Sequence, residues 1–60
     1  MKQWKFNDFC HLAKKNGYCF IRIKGSHHIY ANDKGRHMSI PLKLESVIAR
    51  RLIKENQLRQ

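Results

Sequence analysis

Acidic residues are scarce in this chain. Four Asp and Glu stand against thirteen Lys and Arg, a formal charge of +9. The four (Asp8, Asp33, Glu45 and Glu55) lie far apart in the sequence, whereas a two-metal hydrolase centre needs several carboxylates brought together. Histidine and cysteine do not make up the shortfall. Cys10 and Cys19 are not at metal-ligand spacing and no later pair of histidines has finger-like spacing, so no metal site and no cofactor are expected. No apolar run approaches the ~20 residues of a bilayer-spanning helix. The start, MKQWKFNDF, lacks the apolar core of a secretion signal and carries Asp8 early, so no signal peptide is expected. Both cysteines are then expected as reduced, buried thiols in a cytoplasmic protein. Repeats, low-complexity runs and linkers are missing too. Sixty residues make a single domain, 1–60, whose core is small and whose net stability is thin.

What is plentiful is positive charge, spread along the chain. It favours a polyanionic partner: nucleic acid, an acidic protein, or each in turn.

In residues 6–16, FNDFCHLAKKN, Phe6, Phe9, Cys10 and Ala13 recur at helical spacing, with Asn7 as the N-cap candidate. Gly17 is the stop signal, and Lys14 and Lys15 suit the negative end of the helix dipole. Residues 18–24, YCFIRIK, are aromatic and β-branched and predict a strand. Its alternation groups Cys19, Ile21 and Ile23 on one face and Phe20, Arg22 and Lys24 on the other. Gly25-Ser26 is a tight connection into a second strand, HHIYA (27–31). Residues 32–35, NDKG, form a turn into a third, RHMSIP (36–41), where Met38 and Ile40 alternate with His37 and Ser39. Pro41 is expected to end the pairing, having no N–H to donate. From Leu44 the period becomes helical, with Leu44, Val47, Ile48 and Leu52 as the stripe. The fold class is therefore α+β, in the order α-β-β-β-α: a three-stranded antiparallel sheet with both helices on one face and the other face open and basic.

KGSHHIY (24–30) sets two histidines directly after a Gly-Ser turn. Strand parity sends them to opposite faces, so they do not share one site. His28 goes with Tyr30, expected on the open face; His27 goes with Ile29, expected toward the helices but at the strand margin. An imidazole at such a margin is placed for proton transfer near neutral pH. A Ser-His-acid relay is not expected, because Ser26 adjoins His27 and no acid is near enough to orient the ring. Trp4 reads either as a docking aromatic or as a satellite core residue.

NGYCFIRIKGSHHIYANDKGRHMSIP resembles the HicA family of toxins. The resemblance rests on Gly17-Tyr18 after a helix, the basic strand with Arg22 and Lys24, Gly25-Ser26-His27, Gly35, Ile40-Pro41, and a closing helix from Leu44. It spans most of the chain. It implies a fold similar to double-stranded-RNA-binding domains, metal-independent cleavage of mRNA, and neutralisation by a HicB-type antitoxin in a bacterial cytoplasm, with no direct DNA binding by the toxin alone. The family's catalytic histidine maps to His27. One departure is local: IPLKLESV runs almost directly into the last helix, where the family usually has a longer segment.

With those residues, the expected chemistry uses the RNA 2′-hydroxyl as nucleophile. His27 moves the proton, while Lys24, Arg22 and Arg36 balance charge on the phosphorane. Gly25 and Ser26 approach the phosphate, and His28 is an accessory candidate. The rival expectation is an RNA-binding module without catalysis. Double-stranded-RNA readers clamp phosphates with lysines at the start of their last helix, where this chain has KLES with one lysine and an acid. A third reading, a chain that only binds an acidic protein, leaves Gly25-Ser26-His27 unexplained.

Overall fold

Periodic apolar residues wind to one side in α1 (Phe6–Lys15), burying Phe9, Cys10, Leu12 and Ala13. This computed structural model describes residues 3–60; of the domain expected over 1–60, Met1 and Lys2 lie outside the described residues. The helix begins earlier than its candidate cap. Lys5 holds the cap position in extended conformation without a side-chain cap bond, and Asn7 lies inside the first turn. The physical reason is Phe6, which packs against the core from the first helical position. At the other end, Gly17 takes φ +87°, the Tyr18 N–H donates to the Ala13 carbonyl at 2.9 Å, and the Gly17 N–H donates to Lys14 at 3.0 Å. These two bonds make a Schellman closure, which satisfies the last carbonyls and turns Tyr18 into the core.

Three antiparallel strands follow, β1 (Cys19–Lys24), β2 (His27–Ala31) and β3 (His37–Pro41), in the spatial order β1-β2-β3. Pro41 does not end the pairing; it sits opposite His27, and the next residue, Leu42, donates its N–H to the Ser26 carbonyl at 2.9 Å. Antiparallel hydrogen bonding alternates, so the Pro41 nitrogen points away from β2, to the free edge, where a missing N–H costs nothing.

Helix α2 (Ser46–Asn56) closes the fold. Ala49 is buried, and Leu44, Leu52 and Ile53 pack against the core. Val47, expected in the stripe, is 74% exposed, because it lies about 200° around the helix from Ala49. Gln57, at φ +52°, allows the Leu58 N–H to reach the Ile53 carbonyl at 3.0 Å and seats Leu58 in the core. One cluster joins Phe9, Ala13, Tyr30, Met38, Ile40, Ala49 and Leu58, so both helices cover the same sheet face. Trp4 belongs to it, buried edge-on against Phe9 at 5.7 Å; the core reading of that residue holds.

Candidate nucleic-acid interface

The sheet's faces are assigned opposite to expectation in β2. Tyr30 is 4% exposed and points into the core with Met38, its cross-strand neighbour. His28, two residues earlier, is on that inner face, its ring edge-on to Phe6 at 4.8 Å and to Phe20 at 5.3 Å. His27 and Ile29 therefore belong to the open face. Two apolar neighbours on β3, Met38 and Ile40, decide the matter, since they pair with Tyr30 and His28.

In β1 the alternation is broken. The register slips between Phe20 and Arg22, leaving Ile21 as an extra residue. Before this bulge Phe20 opposes Tyr30; after it Ile23 opposes His28, so Phe20 and Ile23 share the inner side although they are three apart. Arg22 opposes Ile29 and Lys24 opposes His27, which puts both cations on the open face.

The open face thus reads as three rows across the sheet: Lys24, His27 and Pro41; Arg22, Ile29 and Ser39; Cys19, Ala31 and His37. Lys24, Arg22, His27, Ser39 and His37 are exposed. Cys19 is exposed too, contrary to the expected buried thiol, because the face it shares with Arg22 and Lys24 has no helix over it; Cys10 is buried as expected, and both thiols are free. No Asp or Glu occurs between Tyr18 and Asn32, so nothing along these two strands offsets Arg22 and Lys24.

Gly25-Ser26 closes the β1–β2 hairpin as a two-residue turn with Gly25 at φ +61° and Ser26 at negative φ. That combination is a type II′ turn, which places glycine first and matches the twist of the strands. A side chain on Gly25 would meet nothing within 4 Å. His27, the next residue after this turn, is exposed.

Arg36 is not brought to this site. It leaves the Asn32–Gly35 turn at the far end of the β2–β3 hairpin, five residues from Pro41 opposite His27, or roughly 17 Å along the strands. Its guanidinium donates from Nε to Asn56 Oδ1 at 2.7 Å and from Nη2 to the Glu55 carbonyl at 2.9 Å, capping the end of α2. Sequence reasoning set His37 and Ser39 opposite Met38 and Ile40 but did not count them among the site residues. Their signal was the β2–β3 register, which follows from pairing Tyr30 with Met38.

The other titrating group of note lies under the sheet. Burial pushes the Tyr30 hydroxyl up to about 12, and its pairing with the Cys10 thiol adds to the shift.

The fold and the face define a class: a small α+β domain with a sheet whose uncovered side is basic and carries an exposed histidine beside a glycine turn. A family model, HicA toxin of bacterial toxin-antitoxin, matches residues 6–60. The chain belongs to that family and is thus a toxin of a toxin–antitoxin system. No curated protein and no solved structure matches it. Among the described residues no helix is long and apolar enough to cross a membrane.

Proposed function

We propose that this toxin is an endoribonuclease that cleaves mRNA by intramolecular transfer, with His27 as the proton carrier and no metal ion. The observation that carries the reading is the row Lys24–His27 on the open face, both side chains exposed and both beside the Gly25-Ser26 turn. His27 Nε2 or Nδ1 takes the proton of the ribose 2′-hydroxyl. The 2′-oxygen attacks the adjacent phosphorus, the bond to the 5′-oxygen breaks, and the imidazolium returns its proton to that leaving oxygen. The products are a 2′,3′-cyclic phosphate and a free 5′-hydroxyl. Lys24 lies where negative charge grows on the phosphoryl oxygens, and Arg22, one row further, suits the neighbouring phosphate.

One imidazole serves as both base and acid, because His28 is held on the other side of the sheet by Phe6 and Phe20. Among the described residues no group of three or more His, Cys, Asp or Glu is placed to hold a metal. A HicB-type antitoxin, as an acidic protein, would neutralise the toxin by competing with RNA for the basic face. Cytoplasmic action is part of the same proposal.

A second reading, RNA binding without cleavage, draws on the same basic face. Incubating the purified protein with end-labelled single-stranded mRNA in EDTA separates the two. Cleavage yielding cyclic-phosphate and 5′-hydroxyl ends, slowed roughly 10²–10⁴-fold in His27→Ala, supports the ribonuclease. A band shift without new ends supports the binding module. Full activity of His27→Ala removes that imidazole from the mechanism.

A further inference from the structure

We infer that the outer edge of β1 is a docking site for an acidic polypeptide strand, whose alternate apolar side chains settle on a shelf formed by Phe20 and Ile23. The inference is independent of the ribonuclease reading.

The strand lies at the edge of the sheet, and all six of its residues are exposed. Hydrogen bonding alternates along β1. The Leu42 N–H to Ser26 carbonyl bond makes His27–Pro41 a non-bonded pair, so His27 bonds Lys24 on its other side. The N–H and C=O of Ile23 therefore point outward and are available to a further strand. On the helix side of the edge, Phe20 is 46% and Ile23 is 60% exposed. The bulge brings these two onto one side, and the helices leave them uncovered, since the buried sheet residues are Tyr30, Met38 and Ile40 of β2 and β3. Scattered exposed apolar residues are ordinary. Phe20 is continuous with the core: it rests edge-on against His28 at 5.3 Å and Tyr30 at 5.7 Å, His28 rests on Phe6 at 4.8 Å, and Ile23 sits opposite His28 across the strands. The shelf is thus an extension of the core with a rigid aromatic floor.

Charge selects the occupant. A strand laid along this edge presents alternate side chains to the two sheet faces, one set beside Phe20 and Ile23, the other beside Arg22 and Lys24. A second copy of the chain would bring Arg22 and Lys24 against their own equivalents. RNA has neither a β-ladder nor aliphatic groups for the shelf. A partner strand alternating Val or Ile with Glu or Asp satisfies the backbone, the shelf and the cations together. Its carboxylates would then lie beside Arg22 and Lys24, at the margin of the open face.

The test uses a fluorescein-labelled peptide alternating Glu with Val and Ile, titrated into the whole protein. Binding should protect the Ile23 amide from exchange and shift the backbone resonances of Cys19–Lys24. A peptide with Lys in place of Glu should bind at least tenfold more weakly. Methylating the backbone nitrogens of alternate residues in the Glu peptide keeps its charge and side chains but removes its ladder donors; it should lose at least tenfold in affinity. Ile23→Asp, at an exposed position, should do the same while the far-ultraviolet spectrum is unchanged. The inference is overturned if the Glu peptide fails to bind at millimolar concentration, or if the N-methylated peptide binds equally well. It also fails if the shifts fall on α2 around Val47 and Lys54, if single-stranded RNA protects the Ile23 amide instead, or if the chain self-associates through Ile23.

Discussion

The two ends of the sheet use similar residues for opposite ends. At the Asn32–Gly35 turn, polar side chains are spent on order. Asn32 Oδ1 accepts the Lys34 and Arg36 N–H groups at 3.0 and 2.9 Å. Arg36 caps α2, and Asn16 exchanges two bonds with Arg59, donating to its carbonyl at 2.9 Å and accepting from its N–H at 2.7 Å. Both helix ends, the turn and the C-terminal tail meet there around a recess of about 290 Å³ lined by Asn16, Asn32, Arg36 and Asn56. At the Gly25-Ser26 end, no side-chain hydrogen bond or ion pair engages Arg22, Lys24 or His27 among the described residues. A cation whose donors are already bonded has little left for a phosphate; one that is unengaged keeps its full capacity. The tied end supplies rigidity, and the untied end keeps its charge for a ligand.

The largest effect expected from breaking this contrast is on catalysis. His27→Ala should cut cleavage by about 10²–10⁴-fold with an unchanged melting temperature, measured by gel assay and thermal denaturation on the same preparation. Lys24→Ala comes next. Its cleavage rate should fall by up to about 10²-fold, the low end for one lost transition-state donor. The slope of log affinity against log salt should flatten by about one, as for a removed phosphate contact.

Arg36→Ala should invert that pattern. Loss of the α2 cap costs about 1 kcal/mol, which in a domain of this size lowers the melting temperature by about 4–8 °C, while cleavage stays within twofold. A cleavage loss matching that of Lys24→Ala would dissolve the distinction between the two ends. Gly25→Ala, forcing a side chain into the left-handed region, should cost about 1 kcal/mol in chemical denaturation.

The last effect is confined to alkali. Tyr30 is raised from 10.0 to about 12 in the folded chain, so between those values the folded state holds a proton that the unfolded state has released. Stability is therefore undiminished below pH 10 and declines as the pH rises through about 12. Urea denaturation at stepped alkaline pH should show a decline that Tyr30→Phe lessens.

The order of the elements was legible because each has a local signal. Helical spacing around Phe9 and Cys10, the Gly17 stop, the Gly25-Ser26 turn and the alternation of Met38 with Ile40 all reappear in the structure. Gly25-Ser26-His27 also marked the turn beside which His27 is exposed. Other features were not legible. The bulge at Ile21 carries no glycine to announce it, so strict alternation misassigned Ile23 and kept Phe20 with Arg22. Arg36 reads as a basic residue like Lys24, and its engagement depends on Glu55 and Asn56, about twenty residues later in the chain.

The sequence by itself determined the secondary elements, their order and the separation of the two histidines, because these follow from backbone geometry within a few residues. Only the tertiary structure decided which side of β2 is covered. Parity states that His28 and Tyr30 travel together and His27 and Ile29 travel together, but each pair has one apolar member. The choice falls to packing: Tyr30 meets Met38 across the strands and Cys10 from α1, and that burial leaves His27 facing solvent beside Lys24.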